Sequence, residues 1–152
     1  MFTKKDIAST FVTRPLLWAE FAHNSVGNGA TYTSLLVDRR DAFSGSLLIS
    51  GKVNLRHHSE FTVTIAREQS GDGETWGGLV EIAADVVLIT GGSGGDIDEP
   101  FIYRLNENYA PLQNYIRYQI TQNLTTVSGS GLANSATWHA IAIVGGQLEV
   151  PV

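Results

Sequence analysis

Several stretches of this 152-residue chain carry residue types that could do chemistry. Gly91-Gly-Ser93-Gly-Gly95 has the letters of a nucleophile elbow, in which a tight strand-to-helix turn holds a serine out for attack on an acyl group. Asp96-Ile-Asp-Glu-Pro100 follows, and Pro100 stands against the helix that an elbow needs. The same loop approaches a calcium-binding β-roll nonapeptide, but such repeats hold calcium between stacked turns, and one copy is present. A lone calcium on Asp96, Asp98 and Glu99 would have hard carboxylate ligands, yet fewer than the ion takes. Gly45 to Val53 imitates a phosphate loop; its glycines are one residue too far apart, and Val53 lacks the hydroxyl that holds magnesium. His57-His58 with Glu60 lacks the helical spacing of a zinc protease. Read as strand neighbours, the two rings point to opposite faces, which makes them surface or interface histidines. His23 and His139 are isolated. With no cysteine, thiolate zinc sites, iron–sulfur clusters, disulfides and cysteine nucleophiles are all excluded. The expectation is therefore no enzyme, with no catalytic residue, no metal and no cofactor.

Only 16% of the residues are charged and 43% are hydrophobic, with a net charge of −5. That is a poor match for phosphate backbones, so no direct nucleic-acid contact is expected. No apolar run approaches the length of a membrane helix, and no apolar segment follows the N-terminal lysines as in a secretory signal. A soluble protein with no membrane contact is expected. The charge is uneven. Residues 1–14 carry Lys4, Lys5 and Arg14 against Asp6, while residues 68–107 carry nine acids against Arg104. Such an asymmetry can orient like copies or an acidic partner.

The elements that must position any site are strands. Segments rich in Val, Ile, Thr and aromatics recur between glycine and Asx punctuation, and strands are read at 31–37, 45–49, 60–69, 79–82, 86–90, 101–105, 115–121 and 137–144. In Phe61-Thr-Val63-Thr-Ile65 apolar residues alternate with threonine, and Ile116, Tyr118 and Ile120 share one face of their strand. With no helical crossovers, this predicts an all-β fold: an antiparallel β-sandwich, of jelly-roll type, with an irregular N-terminal arm. The arm and hinge take residues 1–29, and the sandwich domain takes 30–152. The arm is apolar without strand alternation. Asp6 could cap a short helix over 6–11, Arg14-Pro15 breaks it, and Ser25-Val-Gly-Asn-Gly29 reads as a hinge.

Arg67-Glu-Gln-Ser70-Gly-Asp72-Gly73-Glu-Thr-Trp76 is the most specific stretch. A strand runs into Ser70, turns at Asp72-Gly73, where glycine supplies a positive φ, and resumes at Trp76. Trp76 is placed to fold over the hairpin and seal a core edge. An alternating strand, this turn, an apolar strand, Tyr115-Ile-Arg-Tyr118 and a final Ala140-Ile-Ala-Ile-Val-Gly-Gly146 follow in order. In that order the chain resembles small tailed-phage head proteins of the decoration or cement type. The same turn is also similar to that of discoidin-type and other sugar-binding jelly rolls.

The first resemblance implies a structural virion protein on the outer surface of a capsid, assembled in the host cytoplasm. It would trimerise and clamp adjacent subunits of the major capsid protein. Partner-binding residues are expected in the arm: Phe2, Lys4, Lys5, Phe11, Arg14, Leu17 and Trp18, because aromatics and arginine anchor interfaces and lysines steer encounter. Trimer contacts are expected at Tyr115, Arg117 and Gln119. Ser70, Asp72, Gly73 and Trp76 form the structural turn. The alternative is a carbohydrate- or receptor-binding module, with an exposed loop aromatic such as Tyr109 at its site.

Overall fold

The computed structural model describes residues 12–22, 29–40, 42–125 and 134–145. Every regular element among them is a strand: β1 (Val12–Ala22), β2 (Thr31–Thr33), β3 (Val37–Asp38), β4 (Ser44–Leu55), β5 (Glu60–Ser70), β6 (Val80–Thr90), β7 (Ile97–Asn108), β8 (Tyr115–Thr125) and β9 (Ser135–Gly145). They form two sheets, β1-β9-β4-β7 and β2-β8-β5-β6, with β3 also paired to β8 and every pairing antiparallel. Taking β2 and β3 as one interrupted strand leaves eight. Each sheet then draws its strands from all along the chain, which is the double Greek key of a jelly roll. The all-β sandwich expected from alternation is the observed fold.

The core lies between the sheets. Phe61, Val63 and Ile65 of β5 and Ile116, Tyr118 and Ile120 of β8 are fully buried, as their alternation predicts. They meet Leu47 and Ile49 of β4 and Trp138 of β9, also fully buried. Two glycines of the phosphate-loop lookalike have a packing reason. A Cβ on Gly45 would stand 2.2 Å from the Tyr109 ring, and one on Gly51 would stand 2.2 Å from the Thr137 carbonyl oxygen and 2.8 Å from Trp138. They are recesses that admit large aromatics, and the stretch is a strand.

Several expectations are corrected. The strands read at 79–82 and 86–90 are one strand, β6, kinked at Asp85, whose φ is 45°, with shifts of register against β5. The strand read at 31–37 is broken at 34–36. Within the stretch read as an irregular arm, residues 12–22 are β1, an edge strand paired with β9 from Val12↔Val144 to Ala22↔Ser135. Proline is tolerated on an edge strand, and the register shifts between Pro15 and Leu17. The helix read at 6–11 lies outside the described residues. Of the hinge at 25–29, Gly29 alone is described; its N–H donates to the Gln122 carbonyl at 2.8 Å.

Candidate interaction surface

The turn after β5 is built from its own side chains. Ser70 Oγ donates to Asp72 Oδ1 at 2.8 Å and accepts from Gly73 N–H at 2.8 Å. Asp72 Oδ1 also accepts from the N–H groups of Glu74 at 2.9 Å and Thr75 at 2.8 Å. Gly73 has φ 82°, the left-handed region. These bonds, Thr75 N–H first, hold the Asp72 carboxyl far below the usual carboxylate range. The carboxylate is therefore spent on the turn.

Trp76 departs from expectation. The chain does not resume a strand there; β6 starts at Val80, and Gly77 N–H bonds the Gln69 carbonyl at 2.8 Å. The indole lies over the outer face of the second sheet, with the Arg117 guanidinium 4.1 Å from its ring centroid. Arg117 Nε also donates to Glu68 Oε2 at 2.6 Å, and Gln119 Nε2 reaches the same oxygen at 3.4 Å. Arg40, paired with Asp38, stands 5.3 Å over the Tyr115 ring. The fold thus gathers Tyr115, Arg117 and Gln119 on one half-buried face and joins them to Trp76. On that face most polar groups already have partners in the same chain.

Sequence reasoning missed the outer face of the first sheet. In β9, Ala136, Trp138, Ala140 and Ala142 point into the core, while His139, Ile141 and Ile143 point out. Leu48 is directly opposite Ile141, and Ile102, 71% exposed, is opposite Ser50. Ser50 Oγ and His139 Nε2 are 3.0 Å apart. Arg104 is exposed on this face and bonds the Ser46 hydroxyl through Nε at 3.1 Å and Nη2 at 3.0 Å. The signal was present in the sequence: once Trp138 is assigned to the core, parity sends Ile141 and Ile143 outward.

Of the expected arm residues, Phe2, Lys4, Lys5 and Phe11 lie outside the described residues. In β1, Arg14 is opposite Ala142 and Leu17 opposite Ala140, register positions of core-facing residues, whereas Trp18 is opposite outward-facing His139.

The loops give two more corrections. His57 and His58 sit in the β4–β5 turn, not on a strand, and their rings are 5.1 Å apart. Tyr109, named above as an exposed loop aromatic, is fully buried. In the glycine-rich loop, Asp96 pairs with Arg56, while Asp98 pairs with Lys52 at 2.7 Å. The two carboxylates thus serve separate cations, and no group of three His, Asp or Glu side chains able to hold a metal occurs among the described residues.

No family model and no curated protein sequence matches this chain. Among solved structures it is similar to the VP2 subviral particle of infectious bursal disease virus, with TM-score 0.53 and 17% identity over 93% of this chain and 34% of that one. It is also similar to the structure of the Gx strain of the same virus, with TM-score 0.50 and 16% identity over 93% and 34%. A mutant VP2 of that virus, from derived particles, gives TM-score 0.52 and 16% identity over 90% and 31%. The chain spans about a third of the length of these proteins. At such identities the likeness is one of fold: a virus-particle protein contains this same jelly-roll sandwich.

Proposed function

We propose that this chain is a structural subunit of a virus particle that binds the outside of a capsid shell as a decoration protein and clamps adjacent major capsid subunits. The observation that carries this reading is the jelly-roll sandwich that nearly the whole chain shares with a virus-particle protein. The outward aliphatic face supports it, because a surface of that kind is stabilised by being covered. Self-association as a trimer, with Tyr115, Arg117 and Gln119 on the contacting face, would let one assembly engage several capsid subunits. Modest single contacts then combine through effective concentration. The apolar and basic residues Phe2, Lys4, Lys5 and Phe11 would dock on the shell, and Trp18, at the outer register of β1, would add to that contact.

The test is truncation at Phe11. A longer deletion would also remove β1 and so confuse docking with loss of a sheet edge. The chain without residues 1–11 is expected to keep its thermal transition and lose retention on emptied heads. Normal occupancy by the truncated chain would refute docking through this segment, and failure of the full chain to bind any shell would refute decoration.

A second reading has one observation behind it. Trp76, Thr75, Asp72 and Gln113 line an open cleft of about 400 Å³, suited to a small polar ligand such as a sugar. Glycan titration of the wild type and of Trp76→Ala tests it; no binding by the wild type would end it.

A further inference from the structure

We propose that the outer face of the first sheet is a self-association surface that docks on the outer face of the second sheet of another copy, head to tail.

The first argument is that each of the four sheet edges carries a feature that disfavours strand addition. An open edge is the ready route to pairing between chains. Here β1 contains Pro15 and a register shift, and β7 contains Pro100 within the strand. β6 is kinked at Asp85, and the β2/β3 edge is interrupted at 34–36. Proline removes a donor, and a kink turns the ladder away. That favours contact between copies through faces.

The second argument is the inversion in β9, where isoleucines point out and alanines point in. The strand cannot shift by one residue to correct this, because Trp138 is anchored inward. Ile141, Leu48, Ile143 and Ile102 then form a contiguous aliphatic patch on the first sheet's outer face.

The third argument is charge, and it selects a second copy as the occupant. Arg104 lies in this patch and forms no ion pair among the described residues. On the opposite side of the same molecule, the outer register positions of β5 and β6 hold Glu60, Glu81 and Val87, with Asp85 held there by Thr64. Val87 is 50% exposed, and Glu81 is exposed and forms no ion pair among the described residues. One chain thus carries an aliphatic patch with a cation on one face and an exposed valine with acids along the same face on the other. Because the two halves are different surfaces, the contact is heterologous, and copies joined by it form a ring where the rotation closes and an open filament where it does not. The inference rests on the self-association in the proposed function, and it needs no capsid shell.

The experiment is sedimentation of the purified full-length chain across a concentration series, with circular dichroism confirming the fold of each variant. The wild type is expected to associate, Ile102→Glu to weaken association by about tenfold or more, and Arg104→Glu and Glu81→Arg each to weaken it, as like charges across a contact do. The double variant Arg104→Glu/Glu81→Arg is expected to regain most of the lost affinity. A chain that stays monomeric, an assembly indifferent to Ile102→Glu, or a double variant no better than its parents would each overturn the proposal. Association by these faces without binding to any shell would refute the decoration reading and leave this one standing.

Discussion

The indole N–H of Trp138 donates to the side-chain carbonyl of Gln122 at 2.7 Å across the middle of the sandwich, and both side chains are fully buried. One residue belongs to β9 of the first sheet and the other to β8 of the second. The Gln122 amide continues to the Tyr32 hydroxyl at 3.2 Å, and the Tyr32 ring meets Trp138 edge-on at 5.7 Å. This link fixes which face of β9 is inside. Gln122→Leu leaves a buried indole donor without its acceptor and is expected to cost about 1–3 kcal/mol in urea unfolding. Replacing both partners, as Gln122→Leu/Trp138→Phe, is expected to cost less than the sum of the two single changes. Strict additivity would show that the bond contributes nothing.

The Asp72 turn predicts a pH dependence. Its carboxyl is depressed in the fold by the N–H donors of Thr75 and Glu74 and by Ser70. A depressed group contributes stability that is present above its unfolded value, near pH 4, and is lost as pH falls below it toward the folded value. The melting temperature of the wild type is expected to exceed that of Asp72→Asn at pH 7, and the gap is expected to narrow below about pH 4. A gap that widens in acid would contradict this.

How far the sequence reaches can be seen in single strands. Strands β5 and β8 were legible because Phe61, Val63 and Ile65, and Ile116, Tyr118 and Ile120, alternate with polar residues and bury one face. β1 was not, since Arg14-Pro15-Leu-Leu-Trp18 has no alternation and contains a residue that argues against a strand unless it is known to lie at an edge. β6 was split because Ala83-Ala84-Asp85 has weak strand preference; a kink at Asp85 carries the strand through. The candidate surfaces were harder still. Tyr115, Arg117 and Gln119 share a face by simple parity, but their link to Trp76 depends on how a loop returns over the sheet. The outward isoleucines follow by parity once Trp138 is assigned to the core, but what fixes that assignment is its bond to Gln122, a relation between strands of different sheets.

Two buried tyrosines predict behaviour in alkali. Tyr118 donates to Glu107, so its single proton is used, and the 2.8 Å contact between Tyr109 and Tyr118 must have the Tyr109 hydroxyl as donor. Burial pushes the Tyr109 hydroxyl up to about 12, and burial raises Tyr118 as well. A raised group contributes stability that is complete below its unfolded value, near pH 10, and is lost as pH climbs through the folded one. Tyrosinate absorbance is expected to show these two rings ionising together with unfolding, above about pH 10. Ionisation of all tyrosines in one step before the circular dichroism changes would refute this.

Arg67 and Glu107 form an ion pair between β5 and β7, with side chains only 11% and 8% exposed. It joins the two sheets near the end of the sandwich that carries the Asp72 turn, and Glu107 takes the Tyr118 hydroxyl as well. Removing one charge leaves the other buried and uncompensated, so Glu107→Gln is expected to cost about 3–5 kcal/mol. Arg67→Met/Glu107→Gln removes both charges and also the Arg67 Nε, which has no hydrogen-bond partner among the described residues. The double variant is therefore expected to be more stable than Glu107→Gln alone, as replacing a buried pair is milder than breaking it. Urea unfolding of the wild type and both variants decides between a pair that stabilises the fold and one that mainly sets its geometry. A double variant less stable than Glu107→Gln would show that Arg67 holds the two sheets together through its other contacts.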